Sequence, residues 1–350
     1  MKYNKLGSSD LNVSRVCLGT MTFGVQNTQA DADTQLDYAI GEGVNFIDTA
    51  ELYPIPPGKD LVGDTERIIG DYLSRNKEKR SDLIVMTKIT GRGLSYIRNA
   101  DVIKASYINK TIEESLSRLG TDYIDVYQLH WPNRPHPHFG RHWHDAISYA
   151  DGDYRPIEEE MIAILEVLDE NIKAGKIRHI GVSNETAWGI AKFAELSRLH
   201  NLPRMISTQN EFSLLKSSDW PSVTEACAYE DMGYLPWSPL ASGALSGKYI
   251  DKNRPDGSRW TMLQRNGIFR DTDNVNEAVK KYKAIAEANN ITTSQLSLAW
   301  VNHQKWVTST IIGATKMDQL KDNIKAFDME LSPEVLKEIS AVIKDYPMPF

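Results

Sequence analysis

Cysteine is almost missing from this chain. Its 350 residues contain only Cys17 and Cys227, and neither belongs to a CxxC motif. That excludes a disulfide-stapled secreted scaffold and suits two reduced core residues. Long apolar runs are missing too. No stretch approaches the roughly 18 apolar residues that a membrane span needs. The opening Met1-Lys2-Tyr3-Asn4-Lys5-Leu6-Gly7 lacks the apolar core of a signal peptide. The expectation is a cytoplasmic protein with no membrane association. Excess positive charge is likewise absent. The formal net charge is −7, which offers no electrostatic attraction for nucleic acid or an anionic membrane. Finally, there is no GxGxxG fingerprint. Gly91-Arg92-Gly93 follows a strand-like run, but the third glycine does not come.

What is present is an alternation of short apolar runs and helical patterns. Apolar residues make up 41% of the chain, enough for a folded core. A small hairpin is expected at the start, from Tyr3–Gly7, the turn Ser8-Ser9-Asp10, and Leu11–Val13. Eight strand candidates follow: Val16–Gly19, Val44–Ile47, Leu83–Thr87, Ile124–Leu129, Ile177–Val182, Met205–Gln209, Tyr234–Trp237 and Thr310–Ile312. Between them, Ile108, Ile112, Leu116 and Leu119 recur at helical spacing and stop at Gly120. Ile157, Met161, Ile164, Leu165, Leu168 and Ile172 form a second such stripe. Ser332-Pro333-Glu334 reads as the start of a last helix, with a capping serine and proline at the first helical position. Eight strands separated by helices predict an α/β protein, a closed parallel (β/α)8 TIM barrel formed by one domain over residues 1–350. The competing layout is an open doubly wound sheet. Three intervals, Pro54–Thr65, Gly91–Ala105 and Trp131–Arg155, are long loops after strand ends. That is the C-terminal face, where barrel sites are built.

Four polar residues stand at or just past strand ends. Asp48 and Tyr53 follow Val44–Ile47, Lys88 follows Leu83–Thr87, and His130 follows Ile124–Leu129. On consecutive parallel strands these side chains gather at one rim. A phenol is a weak acid near neutrality, with a pKa of about 10. An adjacent ammonium favours its ionised form and so helps it give up a proton. Lys88 can supply that charge, Asp48 can hold Lys88, and His130 can donate to a carbonyl oxygen. Together they make a proton-donor site for carbonyl reduction. Taken singly, each has a plainer role: Asp48 as a turn cap, Tyr53 as a cleft aromatic, Lys88 as a solvated charge, His130 as a structural histidine.

These segments resemble the aldo-keto reductases. The resemblance runs through Phe46-Ile47-Asp48-Thr49-Ala50-Glu51-Leu52-Tyr53, Val85-Met86-Thr87-Lys88 and Asp122–Pro132. It continues through Leu18–Gly24, Ile180–Asn184, Gln209-Asn210, Trp237–Leu240, Gly243–Tyr249 and Ile312–Thr315 with Gln319 and Asn323. It covers nearly the whole chain. The proline-rich segment after Tyr53 looks similar to that of the bacterial Tas-type members. The resemblance implies a (β/α)8 barrel that reduces aldehydes or ketones with NADPH. It implies Tyr53 as general acid, Lys88 and Asp48 as its tuning pair, and His130 as the group orienting the carbonyl. It places Gly19, Thr20 and Met21 along the cofactor, and Ser183, Asn184 and Gln209 at the nicotinamide carboxamide. Those three can equally serve to satisfy buried strand ends. Trp237, Ser238, Pro239, Leu240, Gly243, Leu245 and Lys248 would wrap the pyrophosphate. Gly313, Thr315, Lys316, Gln319, Asp322 and Asn323 would hold the adenosine end, with Arg259 at the 2′-phosphate.

Two departures stand out. Tyr53 is followed by Pro54 and an insertion, and Arg134–Tyr154 is long and unusual. Five of the eight histidines fall between His130 and His144. The pairs His136/His138 and His142/His144 have HxH spacing, but they lie far past their strand, so a polar loop is expected in place of a metal site. A barrel of this kind can also serve as an NADPH-binding regulatory or redox-sensing subunit. The residues do not set an oligomeric state.

Overall fold

The computed structural model describes residues 1–149, 155–262 and 267–350. Strands β1 (Tyr3–Lys5) and β2 (Asn12–Ser14) pair antiparallel, Tyr3 opposite Ser14, as the expected hairpin. The parallel strands are β3 (Val16–Gly19), β4 (Phe46–Asp48), β5 (Ile84–Ile89) and β6 (Ile124–Leu129). They continue as β7 (Ile177–Ser183), β8 (Met205–Glu211), β9 (Gly233–Trp237) and β10 (Thr310–Ile312). The order around the sheet is β10-β3-β4-β5-β6-β7-β8-β9. A parallel bridge between Tyr234 and Val307, with Thr308 N–H donating to Tyr234 O, brings the two ends together. The (β/α)8 TIM-barrel fold with its N-terminal hairpin is therefore present.

The period-two alternation of a strand explains both the core and the site. Phe46, Ile84, Met86 and Val126 point into the barrel, in one apolar cluster with Leu6, Leu11 and Val13 of the hairpin. Ile47, Val85, Ile89, Tyr127 and Leu129 point outward, into the cluster shared with the helices. Asp48 and Lys88 share the inward parity of Phe46 and Met86, so they crown the interior. Among the outer helices, Ala105–Leu119 carries the expected stripe of Ile108, Ile112, Leu116 and Leu119 and ends at Gly120. The helix Pro333–Asp345 is capped by Ser332, whose side chain accepts from Val335 N–H.

Some boundaries differ from expectation. Strand β4 begins at Phe46, not Val44. Val44 N–H closes the preceding helix on Ala39 O, and Asn45 is tied to the hairpin. Its Oδ1 accepts from Ser14 N–H at 2.8 Å, and its Nδ2 donates to Asn12 O. Strand β4 also runs on through Asp48, which is a strand residue and not a turn cap. Within the Trp131–Arg155 segment, residues 150–154 lie outside the described residues. No described helix is long and apolar enough to cross a membrane.

Candidate active site

Pairing in register sets the first contact. Asp48 lies opposite Met86, two residues before Lys88 on the same face. Lys88 Nζ donates to Asp48 Oδ1 at 2.6 Å and to Thr49 O at 2.7 Å. Both residues of this ion pair are buried. Burial opposes the charge on Lys88, but Asp48 and Tyr53 outweigh it, and the ammonium pKa is raised. For Asp48, burial prevails over Lys88 and Gln209, and its pKa is also raised.

Tyr53 stands five residues beyond β4, in a turn closed by its own N–H to Ala50 O at 3.1 Å. The Lys88 ammonium lies 5.0 Å from the centre of its ring. Burial lifts the phenol's pKa, Lys88 pulls it down, and the net direction is up. The ammonium thus offsets the cost of burial without reversing it. At neutral pH the phenol keeps its proton, the state a proton donor requires. His130 faces Tyr53 edge-on, with ring centroids 5.8 Å apart. Burial first, then Lys88, depresses its pKa well below the usual histidine value. The imidazole is therefore neutral, with one ring N–H to donate and the other nitrogen unprotonated. Its Nδ1 is buried with no partner among the described residues.

The strands beyond lock this group in place. Gln209 Nε2 donates to the same Asp48 Oδ1 at 2.8 Å and to Gln128 Oε1 at 3.2 Å. Ser183 Oγ donates to Gln209 O, and Asn184 Nδ2 donates to His130 O at 2.9 Å. Asn184 Oδ1 accepts from Trp237 Nε1 at 3.2 Å. Ser183, Asn184 and Gln209 therefore form a shelf bonded directly to Asp48 and His130. The bond from Gln209 to Asp48 joins residues 161 apart in sequence, and nothing in the sequence pattern announces it.

The second half of the candidate site is backbone. After β9, Ser238, Ala241, Ser242 and Gly243 all have positive φ, as does Gly247. Gly243 sits at φ +90, and a Cβ there would lie 3.2 Å from Lys248 Cε. Successive turns of this kind expose N–H groups in a concave, anion-receiving surface. Its own turns engage the N–H groups of Ala241, Gly243 and Leu245, while Ser242 N–H goes to Ser238 Oγ. The cradle therefore offers a dianion fewer free N–H groups than the sequence suggests, and Lys248 beside Gly243 supplies the charge. Across the barrel mouth, Gly19 and Gly313 approach closely at β3 and β10. Thr20 Oγ1 donates to Asp48 O, and Met21 O accepts from Ile55 N–H. Lys316 is the N-cap of the helix Met317–Lys325, with no side-chain cap on its first N–H groups. Gln319 Oε1 accepts from the Thr315 N–H and hydroxyl, and Asn323 donates to Gly313 O. Asp322 lies on the same helix, its backbone O bonded to the Ala326 N–H. An extended phosphate-bearing cofactor fits these features: a left-handed cradle with a lysine, glycines at close approach, and an open helix N-terminus.

Arg259 is half-buried beside Ser258 and Trp260. The groups that act on it, after burial, are Arg270, Tyr53, Tyr249 and Glu211, and its pKa is pushed down to about 10. Nearby, Tyr249 and Trp260 stack with centroids 4.0 Å apart, beneath Arg254. Sequence spacing gave no signal for that stack. In the histidine-rich loop, His136 and His138 are buried, not solvated as a polar loop would be. Burial holds them neutral, with pKa values of about 4 and about 3. Among the described residues, no three His, Cys, Asp or Glu side chains gather as a metal site.

Comparison with known proteins agrees with this geometry. The model of the aldo/keto reductase family matches residues 15–344. The chain is 41% identical to protein tas of Escherichia coli over 352 aligned residues, covering 100% of this chain and 99% of that protein. It is 29% identical to the uncharacterized oxidoreductase YrpG of Bacillus subtilis, across 98% of this chain and 96% of that protein. A probable voltage-gated potassium channel subunit beta of Oryza sativa is 31% identical, across 99% and 98%. The chain belongs to the aldo/keto reductase family and is an NADPH-dependent oxidoreductase acting on carbonyl and alcohol groups.

Proposed function

We propose that this barrel reduces small aldehydes or ketones to alcohols with Tyr53 as the general acid. The observation that carries the reading is the buried Lys88–Asp48 pair beneath Tyr53, with a neutral His130 facing the phenol edge-on. NADPH, when bound, supplies the hydride. Ser183, Asn184 and Gln209 would hold its carboxamide, the Trp237–Lys248 cradle its pyrophosphate, and Thr315, Lys316 and Gln319 its adenosine end.

The side chains do the rest. Tyr53 and His130 both donate toward one carbonyl oxygen, where negative charge develops. The phenol transfers its proton there, and the Lys88 ammonium stabilises the phenolate left behind. Asp48 keeps that ammonium charged and aimed, and Gln209 keeps Asp48 aimed. Donors fixed before the reaction need no reorganisation during it, and their effect is stronger where water is excluded.

The test is NADPH oxidation with a panel of aldehydes, wild type against Tyr53→Phe. The variant should bind NADPH as the wild type does and turn over about 10²–10⁴-fold more slowly. Unchanged turnover would remove Tyr53 from the role. Tight NADPH binding with no turnover by the wild type on any substrate would point to a regulatory barrel instead.

A further inference from the structure

The loop from Gly91 to Asp101 touches two catalytic strand ends at once. At its start, Arg92 O accepts from Trp131 Nε1 at 3.1 Å. Gly91 lies so close to that indole that any Cβ would collide with it. Trp131 in turn lies against His130, with ring centroids 4.7 Å apart. Near its end, Arg98 grips Glu51 with both arms of its fork, at 2.5 and 2.9 Å, and donates to Thr90 O at 2.6 Å. Glu51 Oε2 also accepts from Thr90 N–H at 2.8 Å.

Glu51 belongs to the turn that carries Tyr53. Its own N–H donates to Lys88 O, and the turn closes on Tyr53 N–H two residues later. Its side chain is 5% exposed and that of Arg98 15%. The backbone has a cost here. Arg98, Asn99 and Ala100 have φ of 46, 53 and 60, three consecutive non-glycine residues in the left-handed region. Such a conformation persists only where the surroundings enforce it. What enforces it is the fork on Glu51 and Thr90.

We propose that the 91–101 loop is a strap and that Arg98 is a positioning residue. Through Glu51 it fixes the turn that carries Tyr53. Through Gly91 and Arg92 the same strap fixes the indole against His130. It therefore sets the spacing between phenol and imidazole, the two groups that must meet on one oxygen. This rests on Tyr53 and His130 acting as proposed above.

The experiment compares Arg98→Met, Arg98→Lys, Glu51→Gln and Tyr53→Phe with wild type. Readouts are kcat for aldehyde reduction, NADPH affinity by fluorescence, the pH profile of kcat, and melting temperature. Misplacing a reacting group by an ångström costs up to about 10²-fold. Arg98→Met should lose about 10–100-fold in kcat with NADPH affinity within about twofold, and its high-pH limb should shift as the phenol moves relative to Lys88. Arg98→Lys should recover about half of that loss on a logarithmic scale. A purely structural arginine would lower the melting temperature and leave kcat per NADPH-binding site, and its pH limb, unchanged; that result would overturn the proposal. If Arg98→Met does not fold, Glu51→Gln carries the same test, since it keeps the shape and removes the charge. Loss in Tyr53→Phe with full activity in Arg98→Met sinks the strap alone. Full activity in Tyr53→Phe sinks the acid assignment beneath it.

Discussion

The two halves of the barrel mouth are built from different materials. The proton-donor half, from β4 to β6, is side-chain chemistry at strand ends: Asp48, Lys88 and His130 are buried, Asp48 and Lys88 in strand register and His130 one residue past β6 with its N–H on Ile89 O. The cradle half, from β9 to the helix Met317–Lys325, is backbone: positive φ values, close glycines and a helix N-terminus. The first half holds groups whose charge state matters. The second offers a surface whose shape matters. Damage to the first should therefore appear in kcat, and damage to the second in cofactor affinity.

The largest effect is expected at Lys88. Lys88→Met removes the charge that offsets burial of the phenol and leaves Asp48 unpaired in the interior. Reduction should fall about 10²–10⁴-fold. Breaking a buried pair also costs about 3–5 kcal/mol, measurable by urea unfolding. If turnover survives, the two-part division of the mouth is wrong.

Gly243→Val should act on the other half. A branched side chain at φ +90 costs about 1–2 kcal/mol, so NADPH affinity should weaken about tenfold while kcat at saturation holds. A kcat loss at full saturation would mean that the cradle also shapes the chemistry.

The pH profile sharpens the comparison further. Reduction needs a protonated phenol, and Tyr53 is shifted upward. The rate should therefore stay level from neutrality and fall only above about pH 10, the ordinary tyrosine value. His130 is shifted well downward by burial and by Lys88. No rate change near pH 6.5 should trace to it, and His130→Gln should leave the profile's shape between pH 6 and 8 unaltered. An inflection there that vanishes in His130→Gln would show that the imidazole titrates.

The smallest effect belongs to Lys316→Ala. Lys316 is an exposed cation at a helix N-cap, and an exposed ion pair is worth about 0.2–1 kcal/mol. NADPH should weaken by about two- to fivefold and NADH hardly at all. Equal weakening of both would place Lys316 away from the 2′-phosphate.

This division also explains what the sequence made legible. Asp48, Lys88 and His130 are readable because they end apolar runs, and strand alternation then dictates their face. Ile124–Leu129 and Thr310–Ile312 match their strands end to end for the same reason. Strand β4 does not, because Asn45 spends its hydrogen bonds on the hairpin, a partner some thirty residues away in sequence. The Gln209–Asp48 bond spans the barrel, and no local pattern encodes it. The Arg98 fork is hidden for another reason: three residues without a glycine give no warning of a left-handed turn. The buried His136 and His138 read as polar because composition cannot show which loop folds inward. The cradle is legible as glycines at intervals with Lys248 beside them, but its positive φ at Ser238, Ala241 and Ser242 gives no sign in the sequence.

The hairpin has a consequence for traffic. Leu6, Leu11 and Val13 stopper the barrel from below, packed on Phe46, Met86 and Leu235. Just above, Cys17 sits so far from water that burial drives its thiol pKa well upward. Among the described residues that floor is apolar, with no relay of donors for a proton. A phenol that has given up its proton cannot be recharged through the floor; the replacement must come down the same cleft by which the alcohol leaves. Product exit and the resetting of the acid are then a single queue, and whatever narrows the mouth slows both.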